Sequence, residues 1–230
     1  MTSTDPTIST DPTISTDPTI STDPTRARPS DPRPLLDRAI TTGVAVVAGV
    51  APDQLTDPTP CSEMDVRTML GHLVGVLDRI AELGEGGDPF AVVETPAPGD
   101  DWSSAWARAA TRATAAWRDG AALERSITLP WIQGSGAEVL TSYLSELTVH
   151  TWDLATATGQ LPEWDHLVVT AALESRPILP AENRRATFEQ ISAALGMDEV
   201  AVPFAEAVQV PADAPAIDRL VAWNGRDPRR

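Results

Sequence analysis

The sequence predicts a mainly all-α fold: a four-helix bundle with a small C-terminal segment appended to it. Three observations lead there. Four long stretches, 35–50, 62–83, 102–117 and 137–158, space their apolar residues as one face of a helix requires. Each ends in helix-breaking residues: Ala51-Pro52-Asp53, the Gly- and Pro-rich run from Gly84 to Gly99, the breaks at Leu129-Pro130-Trp131 and Gly134-Ser135-Gly136, and Gly159. Strand-like patterning is confined to one short run, Ala205 to Val210. Four helices of this length form a bundle most simply.

The chain opens on a repeat. Ser-Thr-Asp-Pro-Thr-Ile starts at Ser3, Ser9 and Ser15, and a fourth copy from Ser21 ends in Arg26. A proline in every copy removes a ladder donor, and one isoleucine per hexamer cannot offset the entropy of ordering. Residues 1–34 are therefore expected to be a disordered tail. The first helix runs from Leu35 to Val50. Ser62, with Asp65 three residues on, resembles a capping box and opens the second helix. In it Val66, Met69, Leu70, Leu73, Val76, Leu77 and Ile80 follow the i, i+3, i+4, i+7 pattern. The third, Trp102 to Trp117, carries Trp102, Trp106, Ala109, Ala113 and Trp117 near one face, and the fourth runs from Ala137 to about Thr158. Beyond Pro162 the signals shorten to helices near 164–176, 188–196 and 215–223. Residues 35–176 are read as the bundle and 177–230 as a small extension packing on it.

Charge excludes several partners. The chain carries 33 acidic residues against 17 arginines and no lysine, a net charge of −16. Residues 35–230 alone keep 28 acids and 14 arginines, so the acidity belongs to the folded part. A field of that sign repels phosphate backbones and anionic lipid, which argues against nucleic acid and membrane surfaces. One cysteine, Cys61, excludes an internal disulfide and a cysteine-built metal cluster. The longest apolar stretch, Gly43 to Ala51, is far short of the ~20 residues that span a bilayer. The N-terminus lacks a basic region followed by an apolar core. A cytoplasmic protein, monomeric or homodimeric, is expected.

Three polar residues fall where apolar ones belong. At about 100° per residue, Tyr143, Glu146, Leu147, His150 and Leu154 share one arc of the fourth helix. Glu146 and His150 thus face the bundle core one turn apart. His72, between Met69 and Val76, can also reach inward from the second helix. Two imidazoles and a carboxylate converging in a core suit a divalent metal, typically zinc, and three protein ligands leave a position for water or substrate. The plainer readings stand beside this one: a core-edge histidine bonded to a carbonyl, and an ordinary i, i+4 polar pair. His166 reads as a surface or capping residue near a helix start. Cys61 reads as a small packing residue, or as a thiol activated by a helix N-terminus.

The segment Thr59-Pro60-Cys61-Ser62-Glu63-Met64-Asp65-Val66-Arg67, with Leu70-Gly71-His72-Leu73, resembles the start of the second helix in the mycothiol-dependent maleylpyruvate isomerase N-terminal, metal-binding family of the DinB-like bundle superfamily. Glu146-Leu147-Thr148-Val149-His150-Thr151-Trp152-Asp153-Leu154-Ala155 resembles the family's second metal motif. Val210-Pro211-Ala212-Asp213-Ala214-Pro215, Asp218-Arg219-Leu220 and Gly225-Arg226-Asp227-Pro228 resemble the C-terminal end of an actinobacterial branch. The resemblance implies a DinB-like four-helix bundle in which His72, Glu146 and His150 ligate a metal, usually zinc. It implies for Asp153 a supporting or chemical role, as an orienting group or a base. Arg219 is the candidate anion-binding residue for a cofactor. The implied activity is that of a metal-dependent isomerase or thiol transferase using a low-molecular-weight thiol such as mycothiol on a small electrophile. A metal-dependent hydrolase on the same site and a non-catalytic metal- or ligand-binding protein remain alternatives.

Overall fold

A computed structural model describes residues 31–94, 97–197, 200, 202 and 204–229. The fold is all-α apart from one small hairpin. Helix α1 spans Arg33–Ala48, α2 Val66–Glu85, α3 Trp102–Ala116 and a short α4 Gly120–Glu124. Strands β1, Ser126–Leu129, and β2, Ile132–Ser135, follow, and then α5 Gly136–Ala157, α6 His166–Glu174, α7 Arg184–Ala194 and α8 Ala216–Trp223. The bundle is α1, α2, α3 and α5: α2 packs on α3 and α5, and α1 packs on the same two.

Local chemistry sets the helix ends. Pro34 falls in the first turn of α1, where its missing N–H costs nothing. Asp65, not Ser62, caps α2, accepting the Thr68 amide at 2.8 Å. The reason lies just upstream: the Thr59 hydroxyl bonds the carbonyls of Cys61 and Met64, closing a turn that holds Ser62 outside the helix. Gly86 ends α2 in the left-handed conformation, φ 84°. Ser135 and Glu138 make a reciprocal capping box on α5.

The core is built from the expected stripes. Val66, Met69, Leu70, Leu73, Leu140, Tyr143, Leu147 and Leu154 are all buried, with Trp106 and Trp117 beside them. Gly43 lets the Trp106 ring approach α1: a Cβ there would lie 2.3 Å from Cζ2. A second apolar cluster, Val149, Val169, Ala172, Leu173 and Leu220, fastens α6 and α8 to the outer side of α5.

Three expectations change. Helix α1 begins at Arg33, two residues inside the segment assigned to the tail, whose first thirty residues lie outside the described ones. The breaks before the fourth predicted helix hold an antiparallel hairpin, with Leu129 opposite Ile132 across the Pro130-Trp131 turn. The expected strand at 205–210 does not form. Its donors go elsewhere, Ala207 N–H to the Ala181 carbonyl at 3.1 Å and Val208 N–H to the Ala222 carbonyl at 2.8 Å, so no neighbouring strand is needed to satisfy them.

Candidate metal centre

Packing of α2 against α5 brings His72, Glu146 and His150 together, each offering one ligand atom within 4.8 Å of the others. The two imidazole rings meet edge to face, centroids 4.7 Å apart. His72 Nε2 lies 3.5 Å from Glu146 Oε1, too far for a good hydrogen bond, and is buried without a hydrogen-bond partner. An unpaired imidazole nitrogen between a carboxylate and a second histidine is a donor set that a divalent cation would fit.

Each histidine is held from behind by a carboxylate, and each carboxylate by an arginine. His72 Nδ1 meets Glu94 Oε1 at 2.9 Å, and Arg79 Nη2 donates to the same oxygen at 2.5 Å. His150 Nδ1 meets Asp153 Oδ2 at 3.0 Å, and Arg226 donates to both oxygens of Asp153. A carboxylate accepts only, so each Nδ1 carries a proton, and in the neutral ring Nε2 is left as the acceptor. The two supports differ in exposure. Glu94 and Arg79 are 30% and 23% exposed at their side chains, whereas Asp153 and Arg226 are sealed.

The electrostatics follow. Burial opposes charge on His72, but the nearby Glu146 carboxylate and the hydrogen-bonded Glu94 outweigh it and push the ring up to about 9. Burial pulls the other way on Glu94, yet His72 and Arg79 hold it down at about 2. Glu146 is likewise lowered against its burial, chiefly by His72. His150 is lowered, with burial the largest cause, despite its bond to Asp153.

A cavity of about 190 Å³ opens beside Glu146 and Tyr143. Its other walls come from the hairpin turn and the C-terminal segment, including Trp131, Phe204, Trp223 and Arg176. Phe204 also stacks on His150, centroids 5.3 Å apart. The three-residue cluster and the cavity are therefore contiguous.

Of the residues singled out in sequence, His72, Glu146 and His150 converge, and Asp153 stands behind His150, 0% exposed. Arg219 does not join them: it is absent from the cavity wall, and its Nε is buried without a partner. The arginines that reach the region are Arg79, Arg176 and Arg226. Cys61 lies within 4.8 Å of ligand atoms of His150 and Asp153. It is 4% exposed, and burial pushes its thiol up, which fits the packing role and not an activated thiolate. His166 is the exposed first residue of α6. Glu94, Arg79, Phe204 and Arg226 were not singled out as site residues. Glu94 sits in the Gly- and Pro-rich connection, which carries no periodic signal, and its side chain lies over Gly75, where a Cβ would be 2.7 Å from Glu94 Cγ.

Among the described residues no helix is long and apolar enough to cross a membrane. Two uncharacterized proteins of Mycobacterium tuberculosis, MT0763 of strain CDC 1551 and Rv0738 of strain H37Rv, are each 27% identical over 199 residues, spanning 86% of this chain and 100% of their own length. No solved structure matches the chain significantly. Residues 36–155 match the family described as the mycothiol maleylpyruvate isomerase N-terminal domain, which takes in α1 to α5 with His72, Glu146 and His150. The chain belongs to that family.

Proposed function

We propose that the protein is a metal-dependent enzyme of the thiol transferase or isomerase type. In this reading it acts in the cytoplasm on a small electrophile, with a low-molecular-weight thiol such as mycothiol as co-substrate. His72, Glu146 and His150 would hold one divalent metal, zinc by the chemistry of two imidazoles and a carboxylate. The observation that carries the reading is the buried, unpartnered Nε2 of His72 facing Glu146 and His150. Family membership supports the metal and the link to mycothiol.

A bound divalent metal supplies a Lewis acid that lowers the pKa of a thiol coordinated to it. The chain's own residues do the rest. Glu94 and Asp153 orient the two imidazoles, each by accepting a hydrogen bond from Nδ1–H. Asp153, already engaged by His150 and Arg226 and fully buried, suits orientation and not proton transfer to a substrate. Trp131, Phe204 and Trp223 give the cavity apolar walls that exclude water from the electrophile, and Arg176 supplies a cation on its lining.

Metal analysis of the purified protein, followed by turnover assays with and without mycothiol, tests the reading. The expected result is close to one divalent metal per chain, largely lost in His150→Ala, and activity that requires the thiol. Wild-type metal content in His72→Ala, Glu146→Ala and His150→Ala would overturn the site. Thiol-independent hydrolysis with metal bound would overturn the transferase chemistry.

A further inference from the structure

Arg226 follows α8 near the end of the chain, 73 residues beyond Asp153, yet it is 4% exposed and buried against the metal site. Nε donates to Asp153 Oδ1 at 3.0 Å, Nη2 to Oδ2 at 2.7 Å, and Nη1 to the Asn224 carbonyl at 2.7 Å. Phe204 lies against both His150 and Arg226: its ring stacks on His150, and the Arg226 guanidinium lies 5.3 Å over it. Two side chains from outside the family-matched residues 36–155 thus fix a histidine within them.

Stability alone does not account for this arrangement, because a buried ion pair is often no better than well-packed apolar residues. Positioning does. A carboxylate accepting from Nδ1 sets both the tautomer and the rotation of the ring. A carboxylate alone can turn about its terminal torsion, which is broad. A two-pronged guanidinium restricts it to one orientation, because the fork matches both oxygens at once. His72 has the same succession of groups in Glu94 and Arg79, but there the arginine touches one oxygen and the pair is partly exposed. The tighter support is the one supplied by the C-terminal segment.

We propose that Arg226 is a positioning residue that acts through Asp153 to hold His150 with its proton on Nδ1 and Nε2 free to ligate, so that the C-terminal segment completes a metal site whose three ligands all lie in the bundle. The affinity part of this rests on the metal reading above; the tautomer part does not.

The test compares Arg226→Gln, Arg226→Lys, Asp153→Asn and the Asp153→Asn/Arg226→Gln double variant, each checked for folding by near-UV circular dichroism. Zinc affinity by chelator competition is expected to fall about 10- to 100-fold in Arg226→Gln, as for loss of a group that orients a ligand. Arg226→Lys, which keeps the charge and loses the fork, should fall by less. Added to Asp153→Asn, Arg226→Gln should cost nothing more. The absorption bands of the cobalt-loaded protein should shift in Arg226→Gln as they do in Asp153→Asn. In metal-free protein, long-range proton–nitrogen correlations should place the His150 proton on Nδ1 in the wild type and on both nitrogens in Arg226→Gln. A folded Arg226→Gln protein with wild-type affinity and its proton still on Nδ1 overturns the proposal. So does an additive loss in the double variant. If Arg226→Gln does not fold, Arg226→Lys decides by the same readouts. A wild type that binds no zinc overturns the metal reading, and the tautomer in metal-free protein then decides Arg226 by itself.

Discussion

Raising the pH of the metal-free protein from 7 to 9 is expected to destabilise it by about 2 kcal/mol, a loss that zinc removes. The magnitude comes from His72, whose side chain is 11% exposed and which Glu146 and Glu94 push up to about 9 against their common cost of burial. The folded state binds that proton more tightly than the unfolded chain, where the ring titrates near ~6.5. His72 therefore contributes stability that is fully present below about pH 6.5 and is lost as the pH rises through about 9. At ~1.36 kcal/mol per pKa unit the whole effect is about 3 kcal/mol, of which about 2 falls between pH 7 and 9. His150, lowered by burial, is neutral when folded and mostly neutral when unfolded over this range, and adds little. Cys61, raised by burial, also favours the folded state less near pH 9, and a Cys61→Ala background removes that contribution and leaves His72. Urea unfolding followed by tryptophan fluorescence at constant ionic strength, on protein shown to be metal-free, measures the effect. By melting, about 2 kcal/mol corresponds to roughly 4–8 °C for a folded part of this size. Metal-free stability that is flat or rising from pH 7 to 9, or an equal decline in the zinc-loaded form, refutes the reasoning.

Zinc binding at pH 7.5 should release close to one proton from His72, read as a dependence of the calorimetric heat on buffer ionisation enthalpy. Gly75→Ala should drive Glu94 off His72, since the new Cβ lies 2.7 Å from Cγ; zinc affinity by chelator competition is expected to fall about tenfold. Gly43→Ala should cost about 1–3 kcal/mol in urea unfolding by forcing Trp106 out of place. Deleting residues 1–30 should leave the melting temperature nearly unchanged, because their four proline-punctuated hexamers hold three isoleucines between them.

The bundle was legible because its signal is local and repeated. Met69, Leu70, Leu73, Val76, Leu77 and Ile80 occupy one stripe of α2 whatever lies opposite, and all are buried. The three candidate ligands were legible for the same reason inverted: Glu146 and His150 interrupt a stripe, and an interruption needs no knowledge of the partner helix. Where the signal was local but read one step off, chemistry nearby explains it. Ser62 and Asp65 both had capping chemistry, and the Thr59 turn decided between them. Ser135 and Glu138 held a capping signature, but their glycine neighbours made the segment read only as a break.

What stayed hidden depends on distance along the chain. Glu94 is 22 residues from His72 and Arg226 is 73 from Asp153, and neither lies on a periodic element that would flag it. An anion-binding arginine was expected from the C-terminal segment at Arg219, which lies on α8. Yet a helix fixes its own faces, not what a residue beyond its end can reach. Asn224 and Gly225 turn the chain at the end of α8, Gly225 in a left-handed conformation, φ 83°, with the Ala205 carbonyl 2.6 Å from where a Cβ would be. Only after that turn does Arg226 enter the core and meet Asp153. The glycine in Gly225-Arg226 is therefore part of the same device as the arginine. Sequence shows the two as neighbours, and the fold shows why the arginine needs the glycine before it.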